Sequence, residues 1–110
     1  MTVSFEIDGQ AVTALNAGPM FKLSEAFSFV IDCDGQDEVD HYWNALTADG
    51  GQESQCGWLK DRFGLSWQVI PRQFTEMATS PDRAAAGRAF QAMMGMRKID
   101  LAALRTAFEG

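Results

Sequence analysis

The segment Gln55–Pro71, with the sequence QCGWLKDRFGLSWQVIP, decides the fold that this chain is expected to adopt. Two short apolar arms, Cys56–Lys60 and Leu65–Ile70, flank the string DRFG, and this arrangement predicts a β-hairpin. Each arm carries one tryptophan, Trp58 on the first and Trp67 on the second. Few side chains in this hairpin are reactive polar groups, so the question is which ligand the hairpin binds.

A further strand, Ala26–Asp32, is predicted upstream of the hairpin because its side chains alternate between a bulky and a small face. The bulky face comprises Phe27, Phe29 and Ile31, and the small face comprises Ala26, Ser28 and Val30. This asymmetry favours a strand that packs on helices behind it and leaves room in front.

Apolar side chains with helical spacing predict a helix from Gln36 to Ala48, with Asp34 as its N-cap. Beyond Pro71 the chain is expected to be helical, first as a short turn over Phe74–Ala78. A longer helix is expected to begin with Ser80 as its cap and Pro81 as its first residue. A last helix is expected to be capped by Asp100.

The first residues predict another hairpin, because Val3, Phe5 and Ile7 alternate with polar residues before the tight turn Asp8-Gly9. The expected element order is therefore β-β-β-α-β-β followed by a helical tail. This order, with five strands and three helices, predicts one α+β domain over residues 1–110 with a mostly antiparallel sheet.

The composition excludes several classes of partner. The chain has 110 residues and a formal charge of −6, from 15 acidic and 9 basic side chains, which argues against binding a nucleic-acid backbone or an anionic membrane. No apolar run is long enough to span a bilayer, and the first residues lack the features of a signal peptide, so a cytoplasmic protein is expected. Cys33 and Cys56 are expected to be reduced.

Single residues and short motifs point weakly to catalysis. The string DCDGQDE, residues 32–38, fails the spacing of an EF-hand loop. His41 is the only histidine and is expected at the surface. Cys56 is a weak candidate nucleophile, because its reactivity would need a nearby cation or helix N-terminus that the sequence does not locate. No glycine-rich phosphate-binding motif is present.

Three segments together resemble one protein family closely: TALNAGPMFKLSEAFSFVIDC, VDHYWNAL and the opening QCGWLKDRFGLSWQVIP. They are similar to the PhnB-like branch of the vicinal oxygen chelate superfamily, also described as 3-demethylubiquinone-9 3-methyltransferase-like. The superfamily includes glyoxalases, bleomycin-resistance proteins and dihydroxybiphenyl dioxygenases. The tail AMMGMRKIDLAALRTAFEG fits the same branch, so the resemblance covers nearly all of the chain.

The resemblance implies a fold of βαβββ modules whose curved sheets form a cup around a small-molecule site. Residues 1–16 then correspond to the hairpin that ends module one, residues 25–71 to module two and residues 72–110 to the tail. The first half-module is largely missing from this pattern. A homodimer is therefore expected to complete the sheet or the cup, with the tail contributing to the interface.

The comparison with metal-using members of the superfamily argues against a metal site in this chain, and its length and motifs argue against a typical methyltransferase. Metal-using members carry a histidine where this chain has Ala26 and a glutamate where it has Gln68. An alanine cannot coordinate a metal and a neutral amide is a weak ligand, so no metal and no other cofactor is expected. An S-adenosylmethionine-dependent enzyme typically has a doubly wound sheet with a glycine-rich first turn, and this chain has neither the length nor that turn.

The ligand pocket is therefore expected to be an apolar hollow with a few polar points. Its predicted lining is Ala26, Ser28, Cys56, Trp58, Ser66 and Gln68. The leading hypothesis is metal-independent binding of a small molecule. One alternative is an enzyme acting on a small aromatic, quinone-like or phosphonate-like substrate, with Gln68 and Cys56 as weak catalytic candidates. Another is a degenerate partner subunit of a full-length relative.

Overall fold

The computed structural model describes all residues, 1–110, and contains six strands, four α-helices and one short 3-10 turn. The strands are β1 (Thr2–Ile7), β2 (Gln10–Leu15), β3 (Ser28–Cys33), β4 (Gln52–Glu53), β5 (Trp58–Lys60) and β6 (Ser66–Pro71). The helices are α1 (Gln36–Thr47), α2 (Arg72–Ala78), α3 (Arg83–Met94) and α4 (Leu101–Glu109), and the 3-10 turn is Ala48–Gly50.

Residues 28–71 form one βαβββ module, β3-α1-β4-β5-β6, as the resemblance implied. Its strands lie in the order β3-β6-β5-β4; β3 and β6 are parallel, and the other neighbouring pairs are antiparallel. The predicted α+β fold is confirmed. The sequence prediction missed β4, because a strand of two residues has no alternating pattern long enough to recognise.

Helix α1 covers one face of this four-stranded sheet. Val39 and Trp43 on the helix are buried against Cys33, Leu59 and Val69 from three different strands. The indole Nε1 of Trp43 donates a hydrogen bond of 2.8 Å to Glu53 Oε1, so the one polar atom of this large side chain is satisfied. The sheet therefore has a packed face toward α1 and an opposite face that α1 does not reach.

The turn between β5 and β6 is organised by Asp61, which sequence reasoning did not single out. Its carboxylate accepts hydrogen bonds from the backbone of Phe63 and Leu65, at 2.9 and 3.0 Å. The same carboxylate accepts the indole Nε1–H of Trp67 at 2.9 Å. This side chain thus fixes both the turn and the orientation of Trp67 on the helix-facing side, where Trp67 packs against the core.

The three tail helices form a second core at one end of the sheet. Its buried members are Phe74, Met93, Ile99, Leu101 and Leu104, and Ile70 of β6 packs against it. Gln36 at the start of α1 joins this tail to the module: its Nε2 donates to the Ile99 carbonyl at 2.9 Å and its Oε1 accepts from Leu101 N at 2.8 Å. The buried tail side chains therefore serve packing within their own chain.

The first hairpin, β1–β2, forms a separate two-stranded sheet. Asp8 and Gly9 occupy its turn with positive φ angles of 49° and 81°, which confirms the predicted tight turn. Its register pairs Phe5 with Val12 on a mostly apolar face and Ser4 with Thr13 on a mixed face that also carries Leu15. The molecule is elongated, with principal extents of 54, 28 and 24 Å.

Several predicted boundaries and caps were wrong. The strand expected to begin at Ala26 begins at Ser28, because Glu25 and Ala26 form a turn. Helix α1 is preceded by Gly35, with no side-chain cap, where Asp34 was expected. The cap of α3 is Asp82, two residues after Ser80, and its side chain accepts from Ala85 N at 3.1 Å. The Asp100 cap of α4 is confirmed by its bond to Ala103 N.

Candidate functional site

The candidate site lies on the sheet face opposite α1, which we call the open face. Two rows of cross-strand neighbours form it. One row runs Ser28–Ser66–Lys60, and the next runs Val30–Gln68–Trp58. The parallel pairing of β3 with β6 and the antiparallel pairing of β6 with β5 bring these six side chains to one surface, although they lie up to 40 residues apart in sequence.

Gln68 lies at the centre of the open face and is half-buried. Its Nε2 donates a hydrogen bond of 3.0 Å to the hydroxyl of Ser28 on the neighbouring strand. This bond holds the amide plane along the sheet surface and leaves the amide oxygen and one N–H without a partner in the chain. Gln68 therefore lies on the face opposite α1, with Ser28 beside it on the neighbouring strand.

Ser66 is the second polar group at this face, and its hydroxyl is unusual. The residue is only 1% exposed, and its Oγ has no hydrogen-bond partner in the chain. A buried hydroxyl without a partner costs about 1–3 kcal/mol of stability, unless a bound water molecule pairs with it. Its neighbours across the two strands are Ser28 and Lys60, both polar.

Lys60 is a residue of the open face that the sequence analysis missed. Its ammonium group pairs with the carboxylate of Glu25, in the turn before β3. Hydrogen bonding to Lys60 lowers the pKa of Glu25, with a backbone hydrogen bond and the charge of Lys60 acting in the same direction. The pair draws the turn at Glu25 over the end of the Ser28–Ser66–Lys60 row. Thirty-five residues separate the two partners, and no local pattern links them.

The apolar part of the open face comes from Trp58 and Val30 on either side of Gln68. Trp58 is half-buried, whereas Val30 is 61% exposed although it lies in the middle of a strand. An indole and an aliphatic side chain flanking an amide provide flat apolar contact with one polar point between them. The arrangement can hold a small planar molecule, and in the isolated chain it is open to solvent.

Two predicted pocket residues do not lie on this face. Cys56 was expected beside Trp58 on a strand, but the strand begins at Trp58 and Cys56 has a positive φ of 58°. Its backbone N–H donates to Met96 O at 2.8 Å, and its thiol lies 3.6 Å from Met94 O, so it faces the tail. Ala26 lies in the exposed turn before β3, outside the strand alternation that was to place it on the face.

No three histidine, cysteine, aspartate or glutamate side chains converge anywhere in the chain in a way that could hold a metal ion. His41 is exposed and stacks edge-on against Tyr42, with 5.1 Å between ring centroids. Cys33 is buried in the first core; burial, together with the charges of Glu38 and Asp32, raises the pKa of its thiol to about 11. Both cysteines are free, as expected.

Residues 1–70 match a protein-family model described as 3-demethylubiquinone-9 3-methyltransferase. The chain belongs to this family. The match spans the N-terminal hairpin and the βαβββ module except for its last residue, Pro71, and so it includes every residue of the open face. The predicted membership of the PhnB-like branch is confirmed. No protein of curated function matches the chain.

Two solved structures share the fold of this family member. One is the PhnB protein from Bacillus cereus, named as a candidate 3-demethylubiquinone-9 3-methyltransferase, with 24% sequence identity and a TM-score of 0.57. The other is protein PA1353 from Pseudomonas aeruginosa, with 23% identity and a TM-score of 0.51. The match covers 64% of this chain in both cases, and 64% and 62% of the two relatives. At this identity the likeness shows the fold alone.

The longest α-helices of this chain have 12 residues, and none of its helices is both long and apolar enough to cross a membrane.

Proposed function

We propose that this chain is a metal-independent small-molecule-binding protein whose ligand lies on the open face, against the Val30–Gln68–Trp58 row. The observation that carries the proposal is the oriented amide of Gln68, which bonds to Ser28 through one N–H and lies between the exposed Val30 and the half-buried Trp58. Polar groups that are held in place but unsatisfied are available to a ligand, and an adjacent tryptophan adds apolar contact area.

The proposal of metal independence rests on the donor atoms at this surface. A neutral amide, two hydroxyls and an ammonium paired with a carboxylate are poor ligands for Zn²⁺, Mn²⁺ or Ni²⁺. Gln68 is moreover already hydrogen-bonded to Ser28, so its amide is oriented by the sheet itself. In this proposal the amide recognises a carbonyl or hydroxyl group of the ligand directly.

The chemistry of the open face favours a neutral, planar, partly aromatic ligand. Trp58 offers a flat surface for stacking, and Gln68 offers both a donor and an acceptor at its edge. The charge of Lys60 is compensated by Glu25, so the face carries no free charge that would select an anion. Quinone-like and phenolic molecules, which combine a flat ring with carbonyl or hydroxyl groups, meet this description.

We further propose that the protein acts as a homodimer, because the open face is shallow in one chain. Val30 is 61% exposed, and ligand sites normally bury most of the ligand surface. A second chain would supply the missing wall. If the protein instead served as the partner subunit of a longer relative, it would remain monomeric alone, and measurement of its mass in solution distinguishes these cases.

Removal of the central amide tests the proposal. We expect the ubiquinone-headgroup benzoquinone or naphthol to quench tryptophan fluorescence and to raise the melting temperature. The variant Gln68→Ala should weaken binding by about tenfold, equivalent to ~1.4 kcal/mol, because one hydrogen bond to the ligand is lost. The exposed residue Gln91 on α3 provides the matched control, and Gln91→Ala should bind normally.

The binding measurements are made in a Cys56→Ser background, which removes a partly exposed thiol that could add covalently to the quinone. Equal affinity of the Gln68→Ala and Gln91→Ala chains would contradict the proposed site. One bound Zn, Mn or Ni per purified subunit in elemental analysis would contradict metal independence.

The family description favours a second candidate function, an enzyme acting on a quinone-like, small aromatic or phosphonate-like substrate. Methyl transfer would require S-adenosylmethionine in addition to a demethylated quinol. Incubation of the protein with both, followed by mass spectrometry of the quinol, tests this candidate. A methylated product formed by the wild type and lost in Gln68→Ala would replace simple binding as the function.

A further inference from the structure

A cavity of about 470 Å³ lies between the N-terminal hairpin and the β3 edge of the four-stranded sheet, and we call it the edge cavity. Four consecutive residues of β3, Phe29–Asp32, line it together with Tyr42 of α1 and Trp67 of β6. The hairpin contributes Ile7, the last residue of β1, and Asp8 in the turn. The volume is within the range of small-molecule sites, about 300–1,000 Å³.

The edge cavity differs in position from the open face. Strand β3 is an edge strand, because only β6 pairs with it, and both of its faces therefore reach the cavity. Val30 and Asp32 come from the open face. Phe29 and Ile31 come from the face toward α1. Gln68, at the centre of the open face, does not line the edge cavity, so the two sites have different walls.

Three aromatic rings line the edge cavity, and their own neighbours hold them in place. The rings of Phe29 and Trp67 lie 5.1 Å apart between centroids, and Asp61 accepts the indole N–H of Trp67 at 2.9 Å. His41 stacks edge-on against Tyr42, with 5.1 Å between centroids. Aromatic rings attract organic cations through the negative potential of the ring face, so these walls suit an ammonium group.

The charged groups of the edge cavity are two carboxylates, Asp8 and Asp32, and no lysine, arginine or histidine lines it. Neither carboxylate takes part in a salt bridge, since the salt bridges of the chain all involve other acids. The chain as a whole has a formal charge of −6. Local and overall charge therefore both attract a cation to this cavity and repel an anion.

The composition of the walls favours an organic cation over a metal ion. Metal ions need several oxygen, nitrogen or sulfur ligands, and no three histidine, cysteine, aspartate or glutamate side chains converge in this chain. A hydrated metal ion would also gain nothing from the aromatic and aliphatic walls. An organic cation uses the carboxylates through its charged group and the apolar walls through the rest of its surface.

We propose that the edge cavity binds a small organic cation, an amine or a quaternary ammonium compound with an aromatic or aliphatic body. The charged group lies near Asp8 and Asp32, and the body lies against Phe29, Tyr42 and Trp67. Because Asp8 belongs to the hairpin and Asp32 to the sheet, the bound cation links these two parts of the chain. This site is additional to the open face, where the proposed ligand is neutral.

Titration with two simple cations tests the site. Phenethylamine and benzyltrimethylammonium are both positively charged near pH 7, and 2-phenylethanol is a neutral molecule of similar shape to the first. We expect the cations to shift the indole N–H of Trp67 and the backbone amides of Val30 and Asp32, and to leave the indole of Trp58 unchanged. The neutral alcohol should bind several-fold more weakly. Equal binding of the alcohol, or no shift with either cation at millimolar concentration, would overturn the proposal.

Removal of the two carboxylates tests the charge selection. Asp8→Asn/Asp32→Asn should weaken phenethylamine binding by roughly tenfold, since two attractive charges are lost. Asparagine tolerates the positive φ of 49° at residue 8, so the turn is retained. The control Glu76→Gln/Glu109→Gln removes the same charge from exposed sites on the tail helices. At about 0.15 M salt it should bind like the wild type, because distant charges are screened. Equal loss in both double variants would contradict the site.

Substitution of Tyr42 tests the aromatic wall and remains informative if the carboxylate variant does not fold. Tyr42 is 37% exposed, so its replacement should leave the fold intact. Tyr42→Phe should retain benzyltrimethylammonium binding, whereas Tyr42→Leu should weaken it about threefold, because only the aromatic ring attracts the ammonium group. Equal affinity of the two variants would contradict the contact. Stronger shifts of the same residues by Ca²⁺ than by either organic cation would show a metal site instead.

The edge cavity and the open face can fail separately. Binding of the benzoquinone, with shifts at Trp58, and no binding of either cation would refute the edge cavity and leave the proposed function standing. Binding of the cations, with shifts at Trp67, and no binding of a quinone or phenol would refute the proposed function and leave the edge cavity standing.

Discussion

At the residue scale, neighbouring polar groups of the open face are satisfied to different degrees. Gln68 and Ser28 bond to each other, whereas Ser66, the direct cross-strand partner of Ser28, is buried with an unpaired hydroxyl. A sequence pattern places all three on one face but cannot show this difference, because it depends on side chains from three strands. An unpaired buried hydroxyl lowers the stability of the protein unless a bound water or ligand pairs with it.

We therefore predict that Ser66→Ala makes the ligand-free protein more stable. Removal of an unsatisfied buried hydroxyl should raise the free energy of unfolding by about 1 kcal/mol, since its desolvation cost disappears. Urea denaturation of the variant checks this, with the exposed Ser54→Ala as control. A loss of stability in Ser66→Ala would show that the hydroxyl has a partner.

The two cysteine thiols differ in burial and therefore in expected reactivity. Cys33 is fully buried and its pKa is raised to about 11, whereas Cys56 is partly exposed beside the tail. In the native protein near pH 8, one thiol per chain should react with Ellman's reagent, and Cys56→Ser should abolish this fast reaction. Both thiols should react in denaturant. Two equally fast native reactions would contradict the buried position of Cys33.

At the element scale, the predictable parts were those specified by local pattern. The stripe containing Val39 and Trp43 predicted α1, and the alternation around Gln68 predicted the face that each side chain of β6 occupies. The position of Cys56 was not predictable, because its left-handed backbone is stabilised by hydrogen bonds to a tail segment about 40 residues later. Long-range contacts overrode the alternation of the strand at that point.

The link between α1 and the tail depends on Gln36, and its removal is expected to loosen the tail. Gln36→Ala leaves the buried Leu101 N–H without its acceptor and removes one bond to the Ile99 carbonyl. The free energy of unfolding should fall by about 1–3 kcal/mol. Urea denaturation compared with Gln91→Ala measures the effect, and equal stability of the two variants would contradict the role of the amide.

At the whole-molecule scale, the sequence predicted a βαβββ module and a helical tail but not the separate two-stranded sheet of the N-terminal hairpin. Both strands of this hairpin were recognisable, since Asp8-Gly9 specifies a tight turn. Whether a hairpin joins a larger sheet or stands apart depends on pairing partners that local alternation does not specify. The N-terminal hairpin forms a sheet of its own, and Val30 on the open face is exposed; the proposed homodimer and ligand site account for the open face.

The central claim is that a small molecule binds on the open face, and chemical-shift mapping tests it most directly. Titration of isotope-labelled Cys56→Ser protein with the ubiquinone-headgroup benzoquinone should shift the side-chain amide of Gln68 and the indole N–H of Trp58. The indole of Trp43, buried on the other side of the sheet, should stay unchanged. Shifts confined to the tail helices, or no shift with any quinone or phenol tested, would contradict the account.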